Sequence, residues 1–515
     1  MSTVNSCKTS IFIFLLISNA CISSFAMTHE KNQLSTSDFS SPLYPKKIQF
    51  QWLEQQQITN HAYDALDFIA ASRQHGLSPN KYHYSELNNL DPTLDLQTAQ
   101  RFEKLLTEGL LTLINDMTTG QFKAKDADPD WFIPQKKFNA TAFLQQALLK
   151  KYFKTELNSL LPDTTKYRAL IQELARYQSY RDRGAWTTIP SMPLMHSGKR
   201  HPSIAAVRTR LSFEYPELTL SSPKNTTLYD PILEQAVRLF QKKYGLKVDG
   251  VIGTNTRNEM NISAKERVQQ IQVTLERHRW MPSNLGQRYL IINLANYTLS
   301  AIEDGDEKLD MRVIVGRKSR PTPSFTADMN HLVFNPFWNV PRKLAKLDLL
   351  PKQQADLNYF YTHDIRVFTH NQGEKIEHDA YSIDWQSVSP RHFPYTFRQD
   401  PGEHNALGKL KFMFKNQWGI YLHDTSHREL FTETKRSLSS GCIRVEDPIA
   451  LANFSLDNNP KTSVIDIIES KKNTGLKLKK KLPIYAVYFT VSVDKNEVIF
   501  SPDIYQRDRR IAELL

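Results

Sequence analysis

The chain has 515 residues, 40% of them hydrophobic and 23% charged, with 17 glycines and 26 prolines. That is the makeup of a folded globular protein of about three domains, and it excludes a collagen-like, low-complexity or disordered chain. Lys plus Arg at 66 against Asp plus Glu at 54 leaves a net charge of +12, which favours polyanionic partners. No zinc finger, RNP aromatic motif or concentrated basic stripe points to nucleic acid.

The first 26 residues read as an export signal. Lys8 supplies a positive start, Ile11 to Ile17 an apolar core, and Ser24-Phe25-Ala26 small residues at a cleavage site. The apolar stretch is short for a spanning helix, so cleavage is favoured over a permanent anchor. Cleavage would remove Cys7 and Cys21 and leave Cys442 alone. A single thiol outside the cytosol is either buried and inert or a working nucleophile. Residues 27–46 are polar and read as a flexible tether.

Residues 47–199 read as a helical scaffold, because Phe102, Leu105, Leu106, Leu110, Leu113 and Ile114 recur at steps of three and four. Tyr167, Leu170, Ile171 and Leu174 repeat the stepping. Residues 200–262 form a compact module. There Ile232, Ala236, Phe240 and Tyr244, with Val237, predict one apolar stripe, Gly245 a left-handed stop, and Thr254 the cap of a further helix. The string AVRLFQKKYGLKVDGVIGTNTRNEMN resembles the helical peptidoglycan-binding module.

Residues 263–286 predict a linker helix on Val268, Ile271 and Leu275. The character then turns to short strands over 287–485: Tyr289–Leu294, Met311–Val315, His331–Phe334, Gly419–His423 and Val464–Ile468. Within them, about 344–400 is too long for an ordinary connection and reads as an inserted lid. Residues 486–515 predict a C-terminal β segment. The fold class is therefore α+β multidomain, with a helical scaffold, a small three-helix module and a β-rich domain carrying an insertion.

Chemistry concentrates in Ile420-Tyr421-Leu422-His423-Asp424 and Ser439-Ser440-Gly441-Cys442-Ile443-Arg444-Val445. Gly441 lets the backbone turn sharply before Cys442, and amides at such a turn can stabilise an oxyanion. His423 lies 19 positions upstream of Cys442. Brought back by a hairpin-like return, its imidazole would draw off the thiol proton and stabilise a thiolate. Arg444 would lower the thiol pKa further or bind a carboxylate. The scattered histidines, His404 and His427 among them, show no partner pattern and read as surface. No metal-spaced cluster or phosphate loop is present, so no cofactor is expected.

The full string IYLHD…SSGCIRV resembles the active-site signature of the L,D-transpeptidase catalytic domain. So do Asn335-Pro336-Phe337-Trp338-Asn339-Val340-Pro341, the Pro401–Gly408 segment and Phe412-Met413-Phe414. With the scaffold and binding module ahead of it, the order is similar to the large periplasmic subgroup of that family. Ser440 stands where many members of the wider family carry His.

The resemblance implies Cys442 as nucleophile and His423 as general base and acid. It implies oxyanion and substrate contacts at Gly441, Ser440, Arg444 and Tyr421. It also implies tetrapeptide stems of peptidoglycan as donor and acceptor, 3→3 cross-links with release of D-alanine, and a periplasmic location. Contact with a membrane would come only through an uncleaved signal, and any envelope synthase partner is unspecified. An L,D-carboxypeptidase or endopeptidase using the same site, or a non-catalytic wall-binding protein, are the competing readings.

Overall fold

The computed structural model describes residues 51–515 except 163, 185, 187, 219, 221–225 and 458–462. The expected signal, the tether, Cys7 and Cys21 lie outside the described residues. Among the described residues, no helix is long and apolar enough to cross a membrane.

Helices dominate up to residue 280, several of them started by a side-chain cap. Helix α1 (Asn60–Ala71) begins where Thr59 accepts the Ala62 amide, and α2 (Leu96–Thr119) where Asp95 accepts that of Thr98. The face expected on α2 is buried at Phe102, Leu106, Leu110, Leu113 and Ile114. Helix α3 (Thr165–Asp182) starts at Thr164 and buries Tyr167, Leu170 and Leu174.

The module contributes α4 (Ile204–Ser212), α5 (Pro231–Lys243) and α6 (Thr254–Met260). Gly245 takes the left-handed stop at φ 62°. Two local expectations fail. Ile232 is 50% exposed, and Leu233 fills the buried position instead, because strict steps of four drift off a face that turns every 3.6 residues. Thr254 lies inside α6, whose cap is Gly253 without a side-chain bond.

The expected division at 199/200 does not separate two cores. Tyr167, Leu174, Tyr177, Ile189 and Met195 share one apolar cluster with Val207, Phe240, Tyr244, Met260 and, from the far end of the chain, Val491 and Phe500.

The expected linker helix, α7 (Ala264–Trp280), packs against the scaffold helices and the C-terminal segment. It opens with a capping box between Ser263 and Glu266, then buries Arg267, Glu276, Arg277 and Arg279 at 0–1% exposure. Buried charges persist only with partners, and here the partners lie both on the helix itself and in the segments packed against it. Glu276 accepts the Gln121 amide at 2.6 Å and the Trp280 indole at 3.0 Å, and meets Arg279 at 3.2 Å. Arg279 donates to the His75 carbonyl at 3.1 Å. Arg277 meets Asp508 at 2.5 Å and Asp128 at 3.3 Å, and Asp128 also holds Arg507 at 2.7 Å.

The β-rich domain contains β1 (Arg288–Asn293), β2 (Thr298–Glu303), β3 (Asp306–Gly316) and β4 (Ser324–Phe334). After the insertion come β5 (Leu410–Phe414), β6 (Leu422–His423), β7 (Ser437–Ser439), β8 (Ile443–Val445) and β9 (Thr474–Val487). Hydrogen bonding runs in the order β5-β6-β8-β3-β2-β1-β9-β4, and β4 pairs again with β5, so the sheet closes on itself and its inner face becomes the core. Leu290, Leu299, Val313, Leu332, Phe412, Leu422, Ile443 and Ile484 fill it. The scaffold joins the sheet directly: Trp131 and Phe132 pair in parallel with Ser324 and Phe325 at the start of β4.

The insertion is a subdomain with its own core. Strand Trp338–Asn339 pairs with Thr396–Gln399, which continues through Ile365–Asn371 to Glu374–His378. Phe360, Trp385, Phe393 and Phe397 pack beneath.

Two strand expectations are corrected. Val464–Glu469 is a helix, because the Ser463 hydroxyl accepts the Asp466 amide and caps it. The C-terminal β segment holds only the hairpin Val491–Asp494 with Glu497–Phe500, after which α8 (Asp508–Leu514) is helical.

Candidate active site

Alternation along three neighbouring strands assembles the site. Leu422 pairs with Ile443 and with Phe412, and all three are buried in the core. Side chains one position away therefore point to the opposite face. There His423 lies between Lys411 and Arg444 in register. Tyr421 and Cys442, two positions before His423 and Arg444, extend the same rows toward the turn. The sequence reading named four of these five; it missed Lys411, which the alternation of Leu410, Phe412 and Phe414 around it would have exposed.

His423 is buried and its Nδ1 lies 2.5 Å from the Asp424 carbonyl oxygen. A carbonyl only accepts, so Nδ1 carries the hydrogen and Nε2 keeps its lone pair. Burial, then the Arg444 charge, bring the imidazole down to about 3 against the pull of that hydrogen bond. The ring is neutral and basic only on Nε2.

Asp424 is pinned in turn. Its carboxylate accepts the Lys409 amide at 2.9 Å and Arg428 at 2.8 Å, and a Cβ on Gly408 (φ 58°) would lie 2.3 Å from it. Only glycine tolerates that approach at that φ.

Cys442 is half-buried and free. Burial pushes its thiol up; contacts from the Tyr421 backbone, then Lys411, the Tyr421 hydroxyl and Arg444, pull the other way and do not win. This corrects the expectation of a resting thiolate. Desolvation outweighs two nearby cations, so the resting pair is a thiol and a neutral imidazole.

Tyr421 bridges outward. Its hydroxyl meets Cys442 and receives a hydrogen bond from Trp338 of the inserted subdomain. Lys411 sits 3.9 Å above its ring. Tyr421 thus links Trp338 of the inserted subdomain to the sulfur. Arg444 is half-buried with its Nε unpartnered.

The turn is held by its own serine. Gly441 has φ 120° and donates its amide to Ser439 Oγ at 3.1 Å, while that hydroxyl donates to the Cys442 carbonyl at 2.6 Å. Thr322 ties the Gly441 carbonyl at 2.8 Å. The Gly441 amide, expected to serve an oxyanion, is therefore committed within the turn. Ser440 is exposed, and its hydroxyl faces Arg317 at 3.0 Å and Arg320 at 2.9 Å.

His404 and His427 are at the surface as expected, but His75 is buried, contrary to the general expectation for the scattered histidines. Among the described residues, no group of three His, Cys, Asp or Glu could hold a metal ion. Two larger concavities, about 580 and 1240 Å³, lie where Leu246 and Lys247 of the module face Tyr297 and Glu433. Cys442 lines neither.

Residues 287–465, which include Lys411, Tyr421, His423, Cys442 and Arg444, match the family described as the L,D-transpeptidase catalytic domain. Over these residues the chain is similar to that family. Residues 42–174 match a family described as "Scaffold domain", and residues 200–260 one described as "Putative peptidoglycan binding domain". A Haemophilus influenzae protein named "Putative L,D-transpeptidase" is 38% identical over 258 residues, half of this chain and half of that one. The chain thus spans about half the length of that relative.

Among solved structures, this chain has a weak likeness to the L,D-transpeptidase from Mycobacterium smegmatis, at 12% identity over 39% of this chain and 58% of that one, TM-score 0.20. The Stackebrandtia nassauensis L,D-transpeptidase gives 13% over 57% and 94%, TM-score 0.21. Superpositions this weak add nothing to the geometry above.

Proposed function

We propose that the chain is a murein L,D-transpeptidase of the periplasm that forms 3→3 cross-links through a Cys442 acyl-enzyme. The observation that carries this reading is the row Lys411–His423–Arg444 beside Tyr421 and Cys442, on the side of the sheet away from the core, within a domain of the transpeptidase family.

The neutral resting pair sets the order of events. As Cys442 Sγ bonds to the carbonyl carbon of the third stem residue, its proton passes to His423 Nε2. The Asp424 carbonyl, already bonded to Nδ1–H, stabilises the imidazolium. The Cys442 amide is left for the oxyanion, Gly441's being engaged by Ser439. Collapse breaks the C–N bond, and D-alanine leaves with the proton from Nε2. In the second half, the side-chain amine of a diaminopimelate in a neighbouring stem attacks the thioester and gives its proton to His423. The C–S bond breaks and the thiol is restored. Bond energy is carried by the thioester, so no nucleotide is consumed.

The test is mass spectrometry of tetrapeptide muropeptides incubated with the protein. Dimers lacking one D-alanine are expected, and none with Cys442→Ser. Shortened monomers alone would make water the acceptor and the enzyme an L,D-carboxypeptidase. Unchanged muropeptides, with sacculus binding intact, would leave only a wall-binding protein.

A further inference from the structure

The loop Arg317–Pro321 wraps the turn that carries Cys442. Arg317 N donates to Ser439 O at 2.9 Å, and both Arg317 and Arg320 reach the Ser440 hydroxyl, two residues before the sulfur. The same two guanidiniums close on one carboxylate, Asp348, which belongs to the inserted subdomain. Arg320 grips it in a fork, 2.6 Å to Oδ2 and 3.1 Å to Oδ1, and Arg317 adds a contact at 3.4 Å.

Two cations sharing one anion leave a positive charge over, and the buried Nε of Arg317 has no hydrogen-bond partner. A fork-and-fork arrangement is the geometry of carboxylate recognition. A site of this kind, one turn of chain from the reacting sulfur and filled by a side chain of the covering subdomain, is suited to exchange that side chain for a ligand.

We propose that Arg317 and Arg320 form a carboxylate-binding subsite of the acyl-transfer site, and that Asp348 plugs it when the inserted subdomain is down. This rests on the proposed function for the identity of the ligand: a free carboxylate of a peptidoglycan stem peptide. Entry of that carboxylate displaces Asp348 and frees the subdomain, so the cover opens for an anionic peptide and stays shut to a neutral one. Binding energy remote from the scissile bond is thereby used to expose the nucleophile.

The probe is alkylation of Cys442 in the full chain by iodoacetate and by iodoacetamide, reagents of similar size that differ in a carboxylate. Each rate is read on the Cys442-containing peptide by mass spectrometry. Asp348→Asn is expected to raise the iodoacetate-to-iodoacetamide rate ratio about threefold or more by leaving the arginine pair unplugged. Arg317→Gln with Arg320→Gln is expected to lower it below the parent, and Arg320→Lys, which keeps the charge and loses the fork, to fall between. Glu374→Gln, removing an exposed charge from the same subdomain, controls for net charge.

A ratio that is the same in all variants overturns the proposal. So does an Asp348→Asn effect that speeds both reagents equally, which would be a hinge loosened with no anion site, or a Glu374→Gln effect of equal size. No murein is used, so the ratio is informative even if the chain never cross-links. Cross-linking with an indifferent ratio sinks the subsite alone.

Discussion

At the scale of single residues, the site depends on one glycine as much as on the reacting groups. Gly408→Ala would set a Cβ 2.3–2.6 Å from the Asp424 carboxylate, at φ 58°. Asp424 must then shift, and its carbonyl carries His423 with it. We expect turnover to fall by at least tenfold and stability by about 1–3 kcal/mol, measured by muropeptide assay and thermal melting. Parent-like values for both would show that the carboxylate moves freely. The neutral pair makes a second prediction. The iodoacetamide rate at Cys442 should climb through the alkaline range, past the titration of an ordinary thiol, because burial holds the thiol up. A plateau below neutrality would reveal a thiolate–imidazolium pair instead. Cys442, His423 and Arg444 could be read from the sequence because each is a chemically distinctive residue beside a glycine or at a strand end. Lys411 was legible only through the alternation around it; Asp424 and Asp348 were not, since what makes them part of the site is the strand or loop placed next to them by the fold.

At the scale of elements, local signals succeeded where a side chain caps or a periodic face is long, as in α2 and α3. They failed where the run is short. Val464–Ile468 is β-branched enough to suggest a strand, yet one hydroxyl on Ser463 decides for helix. The insertion was legible as an insertion from its length, but its strands were not, since their pairing with Trp338–Asn339 spans about sixty residues of chain. α7 was legible as a helix, but its buried charges were not: besides the Glu276–Arg279 pair on the helix itself, they meet partners from the scaffold and the C-terminal segment. Glu276→Gln tests those contacts. It keeps the shape but leaves Arg279 buried opposite an amide, and we expect a loss of about 3–5 kcal/mol, seen as a clear drop in melting temperature. A shift within the scatter of surface substitutions would mean that Arg279 finds a different anion.

At the scale of the whole molecule, three desolvated histidines, His75 and His423 buried and His278 half-buried, should make the protein acid-sensitive before its carboxylates titrate. Burial, then nearby cations, bring His75 and His278 to about 4 and His423 to about 3. In the unfolded chain each takes a proton near pH 6.5, and in the folded chain only near those lower values. Their stabilisation is therefore full above about pH 6.5 and is lost as pH falls toward 4, at about 1.4 kcal/mol per pH unit for each. Glu214 works in a lower window: burial opposes its ionisation, but Lys243 and Arg210 hold it at about 2. Melting temperature should fall steeply from pH 6.5 to 5, and less so in His278→Gln; a flat profile over that interval would contradict the desolvated neutral rings. The clasp of Asp128 on Arg507 reaches across 379 residues, and it has a bearing on biosynthesis. At roughly 5–20 residues per second, about 20–75 s pass between the emergence of the two ends of that ion pair. Throughout that interval Trp131 and the underside of α7 wait uncovered, which makes the nascent chain a client for chaperones and gives truncations near residue 507 a cost felt first in the scaffold.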